Sequence, residues 1–220
     1  MNLPAPGTAP RRGRPAGASR DDVLAAATSR YLRGKRVDVL SISAELGLGR
    51  TTIYRWFGTR EELIGEILPR VTKPLLDQAR AEARGRGADK LVDTFDRFNR
   101  SLVAAPALRQ FVERERDAAV RIITSGAGNV QRRNVEMITE VIEAEVRAGA
   151  YEPPVEPATL GYAIVRLAEA FIFNESATGM RDSVDRLREV EAALLGATAA
   201  AAAPGGGRGT SGRHRARARG

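Results

Sequence analysis

Val39 to Phe57 reads VLSISAELGLGRTTIYRWF, and its punctuation decides the fold. Ile42 and Leu46, four apart, give a first short helix an apolar edge. Gly47-Leu48-Gly49 breaks that helix, because glycine takes the positive φ that a sharp reversal needs. Arg50 to Trp56 restarts a helix that keeps Ile53 for the core and turns Arg50, Thr51, Thr52 and Tyr54 outward. Small Ser43 lets the two helices cross closely, Gly47 makes the turn, and Ile53 pins the second helix to the first. Two helices joined in this way form a helix-turn-helix, whose second helix enters a DNA major groove.

Around this stretch the charge is uneven. The chain of 220 residues carries a net +8. Residues 1–60 hold +7 of it, residues 61–196 are at −4, and residues 197–220 add +5 from arginines alone. A basic head and tail on a mildly acidic body suit nucleic-acid binding at one end of the molecule. Basic tails also serve simply to keep a protein in solution. With 43% hydrophobic and 28% charged residues the chain is expected to be globular. There is no cysteine, which excludes disulfides, thiolate metal sites and thiol catalysis. The single histidine, His214, lies in the Gly/Arg-rich tail. No catalytic site, metal or cofactor is expected. No run approaches the roughly 18 apolar residues of a membrane span, and the start of the chain lacks the apolar stretch of a signal peptide. A cytoplasmic protein without membrane contact is expected.

The rest of the chain reads as helix, so the expected fold class is all-α. Residues 1–18 are a Pro/Gly-rich basic arm, disordered by composition. Arg12 and Arg14 in Arg12-Gly13-Arg14-Pro15 suit a minor groove, or form only a basic leader. Ser19 and Asp22 stand as N-cap and N3 of a first helix with Val23, Leu24, Ala27 and Tyr31 inward. Asp38 caps the second helix, and Thr59, followed by Glu61 and Glu62, caps a fourth. Pro69 and Pro74 are expected to interrupt or kink the chain beyond Leu68, with a new helix over 73–84. A single further helix is expected to start at Pro106 and run through Leu108, Phe111, Ala119 and Ile122.

The phrase Gly49-Arg50-Thr51-Thr52-Ile53-Tyr54-Arg55-Trp56-Phe57-Gly58-Thr59-Arg60-Glu61-Glu62-Leu63 resembles the DNA-binding head of TetR-family transcriptional regulators, within which Arg50 to Phe57 resembles the QsdR-like subgroup. The resemblance covers residues 19–68, and two departures stand out. The link over 34–38 is short, and Asp38 caps where the family often has a threonine that meets phosphate, leaving Ser41 as the nearest substitute. The resemblance implies a three-helix DNA-binding domain at 19–68 and a helical effector-binding and dimerisation domain at 69–196, followed by a basic tail over 197–220. By family position Arg50, Thr51 and Thr52 read bases, and Tyr54, Trp56 and Arg60 meet phosphates. Arg50 has the chemistry for a bidentate guanine contact, whereas Tyr54 and Trp56 are also packing residues. The implied partners are a near-palindromic double-stranded DNA operator, a small-molecule effector and a second copy of the chain, with effector moving the helix from Thr59 to Leu68.

Two features of the body bear on this. Phe95, Phe98, Asn99, Leu102, Phe111, Met137, Phe171 and Asn174 are candidates to line an apolar pocket, or are plain core. Glu169, in an apolar helix, faces either that pocket or solvent. Leu160 to Phe173 is apolar on most sides, so it is buried on more than one. Leu160, Ile164, Leu167 and Phe171, with Leu187 and Leu194, are therefore candidates for a four-helix homodimer interface, or for burial within one chain. The expected function is an effector-released homodimeric repressor. The alternative is an effector-independent or architectural DNA-binding protein; an enzyme fits least.

Overall fold

Four helices, three of them capped by a side chain, build the N-terminal head of the computed structural model, which describes residues 17–125, 129–173 and 180–197. Helix α1 (Arg20–Leu32) opens with a capping box: the Asp22 amide donates to Ser19 Oγ at 3.2 Å, and the Ser19 amide donates to the Asp22 carboxylate at 2.7 Å. Helix α2 (Val39–Leu46) starts where the Ser41 amide donates to Asp38 at 2.9 Å. It ends at Gly47, whose φ of 64° is the left-handed turn expected there. Helix α3 (Arg50–Phe57) comes next, and α4 (Arg60–Glu82) begins with a second capping box, Thr59 with Glu62.

Helix α4 differs from the expected break. It is continuous through Pro69 and Pro74, and so crosses the anticipated 68/69 boundary. An interior proline costs about 3 kcal/mol or more, and packing at both ends of the helix offsets it. Leu63, Ile64, Ile67 and Leu68 are buried in the core of the head, while Leu76 and Ala79 are buried in that of the body. One of the lost partners falls at Gly65, four residues before Pro69, where no side chain adds to the crowding.

The body adds α5 (Ala88–Ala104), α6 (Pro106–Arg114), α7 (Arg116–Thr124), α8 (Asn129–Arg147), α9 (Pro157–Phe173) and α10 (Met180–Leu195). The single helix expected from Pro106 is two, parted at Glu115, whose φ of −137° and ψ of 49° are not helical. Two apolar cores result. The first joins α1 to α4 with Leu108 and Phe111 of α6, Ile122 and Ile123 of α7 and Val130 of α8. The second lies among the end of α4, α5, α8, α9 and the end of α10. Leu102 borders both. The head is thus not tethered by a linker but shares an interior with α6 and α7. Helices α8 and α9 approach closely because Gly161 has no side chain; a Cβ there would collide with Thr139 Oγ1 and lie 3.2 Å from the Thr139 amide nitrogen. Among the described residues, no helix is long and apolar enough to cross a membrane.

Candidate nucleic-acid interface and apolar cavity

Helix α3 is anchored by two side chains. Ile53 and Phe57 are 1% and 7% exposed, and this leaves the opposite face outside. Arg50, Thr51, Tyr54 and Arg55 are exposed on it, and Thr52 is half-buried. Arg55 is not among the expected readers, although its neighbours' phase places it outward. Trp56 is half-buried against the core of the head. Ser41 is half-buried, and its hydroxyl donates to the Asp38 carboxylate at 2.7 Å. These bonds hold the Asp38 carboxyl below the usual carboxylate range, with the Ser41 hydroxyl the largest cause and its amide the next.

Arg60, expected at a phosphate, turns inward instead. Its guanidinium donates to the Val37 carbonyl and, at 2.8 Å, to Glu115 at the α6–α7 break. Glu115 is 13% exposed at its side chain and also faces Arg36 at 3.8 Å. A partly buried carboxylate left without a cation is costly, and Arg60 supplies that cation at Glu115. The head is further tied to the body by Arg121 of α7 on Glu61 of α4.

The body holds a cavity of about 80 Å³, partly open to solvent. Phe95, Phe98, Asn99, Leu102 and Met137 line it, as do Phe173 and Glu169. Phe111 does not. It packs edge-on against Tyr31, ring centroids 5.9 Å apart, where α6 meets α1. Phe171 is half-buried outside the lining, which Ile172 supplies in its place. Asn174, like Arg12, Arg14 and the tail from 198 onward, lies outside the described residues. Leu68 and Thr72 of α4 form part of the cavity wall.

Glu191 of α10 also lines the cavity and is not among the residues expected there. It is 0% exposed, and Asn99 Nδ2 donates to its carboxyl at 3.2 Å. Burial pushes this carboxyl up to about 8, against the lowering effect of the Asn99 bond. The sequence does carry a signal for it: Val184, Leu187, Glu191 and Leu195 lie along one helical face, and the three apolar members are all buried. Glu169 is likewise buried, its pKa raised by desolvation.

Three residues expected at a dimer interface are used inside the chain. Leu160 and Ile164 are 0% and 2% exposed, because α9 turns that face to α8 and α10, and Leu187 is 0% exposed on α10, which packs on α5 and α9. Leu167, Phe171 and Leu194 stay half-buried. Tyr162 of α9 and Val190 of α10 are exposed apolar side chains on the outward side.

Residues 86–196 match the family model described as tetracyclin repressor-like, C-terminal domain. The chain is similar in structure to the transcriptional repressor QsdR of R. erythropolis, from the TetR family, with 28% identity, a TM-score of 0.76, and 81% of this chain and 95% of that one covered. The TetR-family repressor AlkX of Dietzia sp. strain DQ12-45-1b shares the fold at 21% identity and a TM-score of 0.57, over 82% and 97% of the two chains. No curated protein matches the sequence. The head with its helix-turn-helix, the all-helical body and the match over residues 86–196 agree, and the chain belongs to the TetR family of DNA-binding transcriptional regulators.

Proposed function

We propose that the protein is a homodimeric repressor that binds a near-palindromic operator and is released from it by a small-molecule effector. The observation that carries the reading is the course of α4. One continuous helix holds the head through Leu63, Ile64 and Ile67, and then gives Leu68 and Thr72 to the wall of the body's cavity. A ligand in the cavity touches the same rigid element that positions α3. It needs only to prefer the conformation with the wrong spacing between two heads. The similarity to QsdR, a repressor, supports the direction of control.

In this reading Arg50, Thr51 and Thr52 read bases, Arg50 by a bidentate guanine contact. Tyr54 and Ser41 lie at the backbone, with Trp56 serving the packing of α3 as well. Arg50→Ala is expected to cost about 1–3 kcal/mol of discrimination between operator and random duplex. A gel-shift series with both DNAs reads it; undiminished discrimination rejects Arg50 as a base reader. The proposed dimer face is the outward side of α9 and α10, with Tyr162, Leu167, Phe171, Val190 and Leu194. Light scattering at micromolar concentration should give twice the chain mass, and a monomer there rejects the paired-head mechanism.

A further inference from the structure

The cavity's polar groups specify a charge. Among the described residues no Lys, Arg or His lines it, while two carboxyl groups do, Glu169 and Glu191. Glu169 is 7% exposed and half-satisfied. Arg166 reaches its Oε2 from the outer side at 2.7 Å, and the same guanidinium nitrogen is held by the Thr124 carbonyl at 3.2 Å. The other oxygen, Oε1, is buried without a well-formed hydrogen bond, and the donor beside it, the Gln131 side-chain amide, is left equally unsatisfied. An unpartnered buried acceptor is costly, and a ligand that brings a donor removes the cost.

Glu191 points to the same ligand. Its only hydrogen-bond donor among the described residues is the Asn99 amide, shared between the two oxygens at 3.2 and 3.4 Å. Among the described residues it makes no ion pair with a cation, and burial, with Asp96 nearby, holds the carboxyl well above its ordinary range. An anionic ligand would bring a third acidic group into a space without a cation. A neutral alcohol would give Glu169 one donor and leave the buried Glu191 protonated. A protonated amine supplies several donors and the one charge beside which the buried Glu191 can give up its proton, while Phe95, Phe98, Leu102, Ile164 and Ile172 take an apolar body.

Resting on the effector-cavity reading above, we propose that the ligand of this cavity is a lipophilic amine, its ammonium group held by Glu169 Oε1 and Glu191 and its hydrocarbon lying among the phenylalanines. The cavity thereby discriminates against carboxylates of the same length.

The test compares octylamine, octanoate and octanol on the full-length protein, by melting temperature, by calorimetric affinity, and by release of a duplex selected from genomic fragments by the protein itself. Octylamine should bind most tightly, raise the melting temperature and release the duplex. Glu169→Gln keeps the shape and removes the charge. It should lose about tenfold or more in octylamine affinity, since hydrogen bonds to charged groups are the stronger ones, while octanol affinity, which involves no charge on the ligand, falls by much less. Glu191→Gln is the second variant and should weaken octylamine in the same sense, so the result does not hang on the folding of one protein. Tighter binding of octanoate or octanol than of octylamine overturns the amine assignment and leaves the effector reading standing. So does equal octylamine affinity in the parent and both glutamine variants. Octylamine binding that depends on Glu169 but never alters duplex affinity upholds the ligand class and overturns the effector reading. Failure of all three probes to bind overturns both.

Discussion

Glu191→Gln will unfold at a higher temperature than the parent at pH 8, and the difference will shrink towards pH 4.5. The parent carboxyl is fully buried and keeps its proton in the fold up to about pH 8, against an ordinary value of 4.5. Desolvation is the main cause, and Asp96 adds to it. The folded state therefore binds this proton more tightly than the unfolded chain does. Its contribution to stability is complete below about pH 4.5 and is lost as the pH rises towards 8. At about 1.4 kcal/mol per pH unit the loss comes to roughly 3–5 kcal/mol. Glutamine has no proton to lose, so this part of the slope should vanish. Glu169, raised by burial in the same sense, leaves a residual slope in the variant. Thermal unfolding followed by circular dichroism from pH 5 to pH 9 measures both proteins. Parallel curves would show that Glu191 ionises in the fold as it does in water.

The second large effect is expected at Glu115. Glu115→Ala should destabilise the protein by about 2–4 kcal/mol, because it leaves the Arg60 guanidinium half-buried without its carboxylate. Arg60 keeps the Val37 carbonyl, which limits the loss. Arg60→Met should cost less, since Glu115 retains Arg36. The double variant separates the pair from its surroundings, and a coupling of about 0.5–3 kcal/mol is expected. Additive single effects in denaturant unfolding would show that the two side chains act independently. The same variants should weaken operator binding, since Glu115 is where the body holds the link before α2 and the start of α4.

Much of the head is legible in the sequence because its signals are local. Ser19, Asp38 and Thr59 cap the helices they precede in sequence, and the glycine at 47 stands where the chain takes a left-handed turn. Position along one helix also tells which side of α3 is exposed. The features that escape such a reading depend on partners distant in sequence. Pro69 and Pro74 read as a break, yet α4 is held by two cores that no window around the prolines contains. The run Arg114-Glu115-Arg116-Asp117 carries no glycine or proline, and its break coincides with an ion pair to Arg60, 55 residues away. Leu160, Ile164 and Leu187 stay open between an interface and burial within the chain, because an apolar helix face does not say which side its own chain takes; the structure buries all three. Phe111 groups by composition with the body's phenylalanines, although α6 belongs to the core of the head. Glu191 escapes because a carboxylate on an amphipathic helix reads as solvent-facing, although buried Val184, Leu187 and Leu195 share its face.

The unbroken course of α4 sets a rule of phase for this molecule. The head is mounted on a shaft that continues into the body, with no swivel at 68/69. One residue inserted into a helix turns everything beyond it by about 100° and advances it by about 1.5 Å. Growth or loss of chain at this junction would therefore redirect α3 as a whole, whatever happened to its own side chains. Exchange of heads between such proteins must preserve the helical register across the joint, and the prolines at 69 and 74 mark the turns along which that register is carried.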